Sequence, residues 1–286
     1  MKPALTRDEI QGAFLAACHA ELNALKPGNV HKFAAGHGMD IAHFERAAAA
    51  AAPFIADPNL SVGERILRAT EASFAATGLN TNLGIVLLCV PLAKAAAETD
   101  VGTGLRRRLA VILSTLTEDD ADDAFAAIRL ANPAGLGKVD KGDVSASNSR
   151  MTLIEAMHLA KDRDRIAHAY VTAFEDIFDF ALPALEDARR LAERDDLAVT
   201  TLHMTLLSEF ADSHIARKFG PDVALSVRDE ARHLSPQWTP AVTSNSLNIL
   251  TNFDSQLKSR GLNPGTTADF VVATLFAADL SRRKHS

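Results

Sequence analysis

The sequence predicts an all-α fold, and three observations carry that prediction. Apolar residues recur every three or four positions along most of the chain. Three boxes of the form Ser/Thr-x-x-Glu each lead into such a run: Thr6-x-x-Glu9, Ser61-x-x-Glu64 and Thr152-x-x-Glu155. No stretch alternates apolar and polar residues for long enough to make a sheet. Helices are expected over 6–25, 40–56, 61–77, 83–98, 103–116, 119–131, 151–161, 164–194, 197–218, 221–233, 241–260 and 265–281, about twelve in all. Pro183 should kink or divide the longest of them. Six consecutive alanines, Ala47 to Ala52, predict a closely packed internal helix. With one Trp and one Tyr, the core must be built from Leu, Ala, Ile, Val and Phe. Neither repeat nor linker interrupts the pattern, so residues 1–286 read as a single compact multi-helix domain.

Composition narrows the function. Apolar residues make up 47% of the chain and charged residues 23%, values ordinary for a globular protein. A net charge of −6 argues against a nucleic-acid surface but leaves room for local cationic sites. Cys18 and Cys89 both fall in apolar helical patterns, as buried free thiols do. Met1 to Ile10 lacks the apolar core of a signal peptide, and the most apolar run, Ile85 to Ala97, is too short to span a membrane and contains Pro91 and Lys94. A cytoplasmic protein with no membrane or nucleic-acid partner is expected; a homodimer is left open.

Chemistry should sit where the helices stop. Three polar corners stand out: Lys26-Pro27-Gly28-Asn29-Val30-His31, Leu79-Asn80-Thr81-Asn82-Leu83-Gly84, and Asn263-Pro264-Gly265-Thr266-Thr267-Ala268-Asp269. Asn80, Thr81 and Asn82 precede an apolar helix and read first as caps. Together the corners suggest loops converging on a phosphate-bearing ligand. The segment Asn132 to Arg150, with Gly135, Gly137 and Asp143, is the longest non-helical stretch. The run Asp119, Asp120, Asp122 and Asp123 reads as a solvated helix start, and Asp269 as a charge complementing the last helix. His31, His37 and His43 lack the spacing of a zinc site.

These motifs, in this order, resemble those of the triphosphoribosyl-dephospho-CoA synthase family. The resemblance rests on Glu21 with Lys26-Pro27-Gly28-x-Val30, His37-x-Met39-Asp40, Asn80-Thr81 with Gly84, Pro133-x-Gly135-Leu136-Gly137 with Asp143, Thr152 to Met157, and Leu262 to Asp269. It implies an all-helical enzyme that moves the triphosphoribosyl unit of ATP to the 2′-hydroxyl of 3′-dephospho-CoA and releases adenine. Members that make that product carry a basic pair, His followed by Lys or Arg, after Asn-Thr where this chain has Asn82-Leu83, and Lys26 to His31 and Ala216 to Gly220 look more like an archaeal and methylotroph branch. The acceptor is then either dephospho-CoA or an intermediate of a one-carbon cofactor such as tetrahydromethanopterin. A helical nucleotide binder without catalysis is the alternative class.

That chemistry assigns expected roles. Glu21, Asp40 and Asp269 are the catalytic carboxylates, one as base and another to stabilise positive charge on the sugar. Lys26, Gly28, Asn80, Thr81, Asn82, Arg217, Lys218, Asn263, Gly265, Thr266 and Thr267 bind substrate, with Lys26 and Arg217 on phosphate oxygens. Mg²⁺, held by Asp40 and Asp143, accompanies ATP.

Overall fold

The computed structural model describes residues 4–99, 104–132 and 151–283. Among these the only regular elements are helices, and fourteen are α-helical. Contacts group the chain into two units. The first holds residues 1–17, 43–175 and 276–286; the second holds 18–42 and 176–275. The chain passes between units inside helices α1 (Arg7–Asn23) and α14 (Gly265–Arg283), where no change of composition marks the boundary.

The first unit is built round α4 (Leu83–Ala97), twelve of whose residues are buried. Pro91 sits inside this helix and has no N–H to give the Leu87 carbonyl. An orphaned carbonyl at that depth is costly. The Tyr170 hydroxyl, from α8 (Arg165–Val171), donates to it at 2.7 Å. The chain's one Tyr thus repairs a helix broken by proline. The alanine run lies in α2 (Ile41–Ile55), but only Ala47, Ala48, Ala51 and Ala52 are buried. One face, not the whole helix, is packed, and the Ser73 hydroxyl reaches the Ala47 carbonyl across it.

All three expected capping boxes form: Thr6 with Glu9, Ser61 with Glu64, Thr152 with Glu155. A fourth went unforeseen. Thr117 and Asp120 box the start of α6 (Glu118–Ala131). Asp120 is buried, not solvated: it accepts from the Thr117 amide and hydroxyl, and from the Ser61 hydroxyl and Gly63 amide at the start of α3 (Val62–Thr77). One carboxylate thereby holds two helix starts. Gly63 is required, because a Cβ there would come within 2.5 Å of the Asp120 Cα.

Three expectations about helices need correction. The helix expected over 164–194 ends at Val171, well before Pro183. Ala173 and Phe174 turn left-handed (φ 49° and 58°), and the Phe174 amide closes back on the Ala169 carbonyl. Phe174 is fully buried, its ring 5.7 Å from that of Tyr170, which makes the break worthwhile. A π-helical turn (176–181) then leads into α9 (Leu182–Leu191), where Pro183 sits harmlessly in the first turn. The helix expected over 197–218 stops at Glu209, because Asp212 caps a new helix. The one expected to start at 241 starts at Leu247, because the Val242 amide is taken by the Thr201 hydroxyl.

The second unit packs α10 (Asp195–Glu209), α11 (Ser213–Phe219), α12 (Pro221–Leu234) and α13 (Leu247–Ser259) round Met204, Leu207, Ile215, Val227, Trp238, Leu250, Phe253 and Leu257. No helix among the described residues is long and apolar enough to cross a membrane.

Asp120 generates a prediction. Burial alone would raise its pKa, but the bonds from Thr117, Gly63 and Ser61 outweigh burial and lower it. A folded pKa below the unfolded value means the folded state binds fewer protons in between. This stability is full above the unfolded value, about 3.9, and lost as pH falls through the folded one. Asp120→Asn should cost about 1–3 kcal/mol at neutral pH. It should also flatten the acid side of the stability curve below about pH 4, as read by urea titration from pH 2 to 7.

Candidate active site

The second unit carries the richest polar cluster, and a train of turns starts it. Lys26 to Asn29 form a β-turn closed by the Asn29 amide on the Lys26 carbonyl at 3.0 Å. Pro27 and Gly28 occupy its centre, with Gly28 at φ 83°, the signature of a type II turn. A Cβ on Gly28 would also strike Pro264 Cδ at 2.7 Å. Gly28 therefore serves both conformation and close approach to the 262–264 corner. A second turn spans 31–34 and a third 36–39. In the third, His37 and Gly38 both have positive φ, 55° and 77°, as a type I′ turn demands.

Two buried charge clusters hold this train. The Lys26 ammonium is fully enclosed and has three protons to place. They go to Glu21, to Asn29 Oδ1 at 3.1 Å and to the Val30 carbonyl at 2.7 Å. Burial raises the Glu21 pKa and lowers that of Lys26, each against the field of the other. Glu21 and Lys26 are thus engaged with one another and with the loop; a phosphate would have to displace one of these bonds. The second cluster centres on Asp254, whose carboxylate accepts from the Gly28 amide at 2.8 Å and from Lys258 Nζ at 3.0 Å. His31 Nε2 stands 3.3 Å from the same carboxylate. His31 Nδ1 accepts from the Phe33 amide, which assigns the neutral ring's proton to Nε2, facing Asp254. Burial pushes the Asp254 pKa up, but His31, Lys258 and the Gly28 amide together bring it below the ordinary value.

A third carboxylate organises the start of α14. Asp212 Oδ1 caps α11 through the Ile215 amide at 3.0 Å. Its Oδ2 accepts from both the amide and the hydroxyl of Thr267 at 2.8 Å. The Thr266 hydroxyl accepts from the His214 amide at 3.1 Å. Asn263 accepts from the Asn29 side chain at 2.8 Å, tying the first and last corners together. Thr266, Thr267 and Asn263, all expected to bind substrate, are thus engaged within the protein, and α14's first turn already faces a carboxylate.

The cations nearby are better placed for a ligand. His214 packs against Gly265, whose absent Cβ would lie 3.2 Å from His214 Nδ1. Burial lowers the His214 pKa, Asp212 opposes it, and Arg217, Lys218 and His37 add to the lowering. His37, Arg217 and Lys218 are therefore each electrostatic neighbours of His214. Arg217 is half-buried; Lys218 is exposed, its ammonium 5.2 Å over the Phe219 ring. Asp269 is half-buried, and its charge is felt at Lys26. Asp40 is exposed just before α2.

The remaining expected residues belong to the first unit or fall outside the described residues. Asn80, Thr81 and Asn82 belong to the first unit. Asn82 does not cap α4 with its side chain; it donates to the Ser73 hydroxyl at 3.0 Å. Asn80 is exposed, while Thr81 is buried with its hydroxyl lacking a hydrogen-bond partner. Asp143 and the Pro133–Gly137 motif fall outside the described residues. A surface groove of about 670 Å³ is lined by Asp222, Asp229 and Glu230 among others. Its acidic wall is the wrong sign for a triphosphate.

Sequence reading missed Asp254, Lys258, His203 and His214. Asp254 and Lys258 stand at i, i+4 on α13 and look like a surface pair. His203 is enclosed on α10, its ring nitrogens without hydrogen bonds; burial, then Lys26, hold its pKa down to about 3.

These features define a class: among the described residues, an all-helical protein in which turns and helix starts carry the polar cluster. Comparison places it further. The model of the ATP:dephospho-CoA triphosphoribosyl transferase family matches residues 7–286, and the chain belongs to that family. It is therefore a transferase. A crystal structure from Archaeoglobus fulgidus, provisionally named a triphosphoribosyl-dephospho-CoA synthase, is 25% identical with a TM-score of 0.65. The likeness covers 84% of this chain and 97% of that one. No curated protein matches the sequence.

The buried pair generates the second prediction. Glu21→Gln leaves the Lys26 ammonium enclosed without its counter-charge. That should cost about 3–5 kcal/mol of stability, whereas Glu21→Gln with Lys26→Met should recover much of the loss. Equal unfolding midpoints for Glu21→Gln and the unaltered protein would contradict the brace.

Proposed function

We propose that this chain transfers the 5-triphosphoribosyl unit of ATP to an alcohol and releases adenine. The observation that carries this reading is the family match, which spans residues 7–286. The grouping of Arg217, Lys218, His214 and His37 supports it locally, because a triphosphate needs cations and oriented donors. Arg217 and Lys218 take phosphate oxygens in this reading. Asp269 and Asp40 are assigned charge stabilisation and metal in this reading, while Glu21 and Lys26 brace the first turn.

Mg²⁺ suits this set. It keeps several waters and uses one or two carboxylates together with substrate phosphates. Asp40 is exposed on the same unit as Arg217, which meets that need; Asp143 is the second ligand in this proposal. Bound there, the ion would neutralise phosphate charge.

One observation bears on the acceptor. Asn82 and Leu83 stand where the family carries a basic pair, and both are buried and neutral. One fewer cation therefore faces the acceptor phosphates at that corner in this reading. An alcohol with fewer phosphates than 3′-dephospho-CoA, such as a precursor of a one-carbon pterin cofactor, follows from this.

Incubation with ATP, Mg²⁺ and each acceptor class, followed by chromatography for free adenine, tests the reading. Adenine release with an alcohol acceptor is expected, with poor turnover of 3′-dephospho-CoA. Efficient turnover of dephospho-CoA would restore the ordinary family acceptor. ATP binding with no adenine under any condition would leave a nucleotide-binding protein without catalysis. Arg217→Ala should raise the ATP KM roughly tenfold, in line with about 1.5–3 kcal/mol for a charged hydrogen bond. An unchanged KM would remove Arg217 from the phosphate site.

A further inference from the structure

We infer that His37 is the general base that takes the acceptor's hydroxyl proton, acting through Nδ1. This deepens the transferase reading and rests on it. The geometry begins with the ring's other nitrogen. His37 Nε2 lies 2.8 Å from the Gly28 carbonyl, which can only accept, so Nε2 carries the proton. In the neutral ring that leaves the Nδ1 lone pair as the basic site, the same tautomer logic that prepares a catalytic imidazole elsewhere.

The Gly28 carbonyl is a fixed anchor. Its residue is bound on the amide side by Asp254 at 2.8 Å and has no room for a side chain. Asp254 is in turn held by Lys258 and faces His31. Three connected groups therefore determine where the His37 ring can sit. The backbone agrees: His37 is one of four non-glycine described residues with positive φ. Such conformations cost free energy and persist where the surroundings impose them, often at functional sites.

The setting suits the role. His37 is half-buried, and its charge is felt at His214, as are those of Arg217 and Lys218. A base beside the cations that hold the triphosphate is near the ribose those phosphates carry. Glu21, by contrast, is enclosed and bound to Lys26. The step balances as follows. The acceptor oxygen bonds to C1′ of the ATP ribose, and its proton passes to His37 Nδ1 and then to water. The C1′–N9 bond breaks, and its electron pair leaves with adenine, which takes up one proton from water.

The test uses His37→Gly and His37→Asn. Both residues tolerate positive φ, so neither variant should fail to fold for backbone reasons. Adenine release under saturating ATP and acceptor should fall about 10²-fold or more in each. ATP affinity, measured separately by calorimetry, should change less than about twofold, since uniform binding is not what the base supplies. Added imidazole should restore a substantial part of the rate to His37→Gly, whose cavity admits it, and not to His37→Asn. Unchanged kcat in both variants overturns the assignment, as does a loss that imidazole does not rescue. Absence of adenine release by the unaltered chain is a different result: it overturns the transferase reading and this role with it.

Discussion

Every helix start leaves amide protons without partners, and in this chain two buried carboxylates each satisfy two starts at once. Asp120 joins the beginnings of α3 and α6 in the first unit, and Asp212 those of α11 and α14 in the second. A capping side chain ordinarily serves one helix. Here the second helix takes the oxygen that would otherwise meet water. The carboxylate then fixes a distance between two axes, and the packing of Gly63 on Asp120 shows how close that distance becomes. With no strands among the described residues to set register, these shared caps do the work that ladders do in a sheet.

The same economy shapes the candidate site. Seen as letters, Lys26 looks like a ligand to a triphosphate and Asp254 like half of a surface pair. In the fold they are spent on the 26–40 turns. Buried charges need complete partner sets, and here side chains supply most of them, with the Val30 carbonyl and Gly28 amide of the loop adding to each. Charge here serves preorganisation of the loop.

Much of the fold was legible. The 3.6-residue period located nearly every helix, and the three Ser/Thr-x-x-Glu boxes formed as the spacing required. Breaks at 172–175 and 210–212 were not legible, because Ala173, Phe174 and Asp212 break helices for tertiary reasons: a buried ring and a distant amide. Nor was the division into two units, since the chain crosses between them inside α1 and α14. For the site, motif order led to the family, and the corners at 26–31 and 263–269 do meet through Asn29 and Asn263. Spacing alone could not tell that Glu21 and Lys26 would face one another, nor that Asp254 would reach Gly28.

Tyr170 and Pro91 carry a final consequence. The hydroxyl matters only because proline withholds an amide from the Leu87 carbonyl. Were residue 91 able to donate, the carbonyl would be served within its own helix and the phenol would become dispensable. The two positions are therefore epistatic: the cost of losing one depends on what occupies the other. Substitutions in this chain cannot all be ranked singly, and an exchange harmless in a relative that lacks the proline is harmful here.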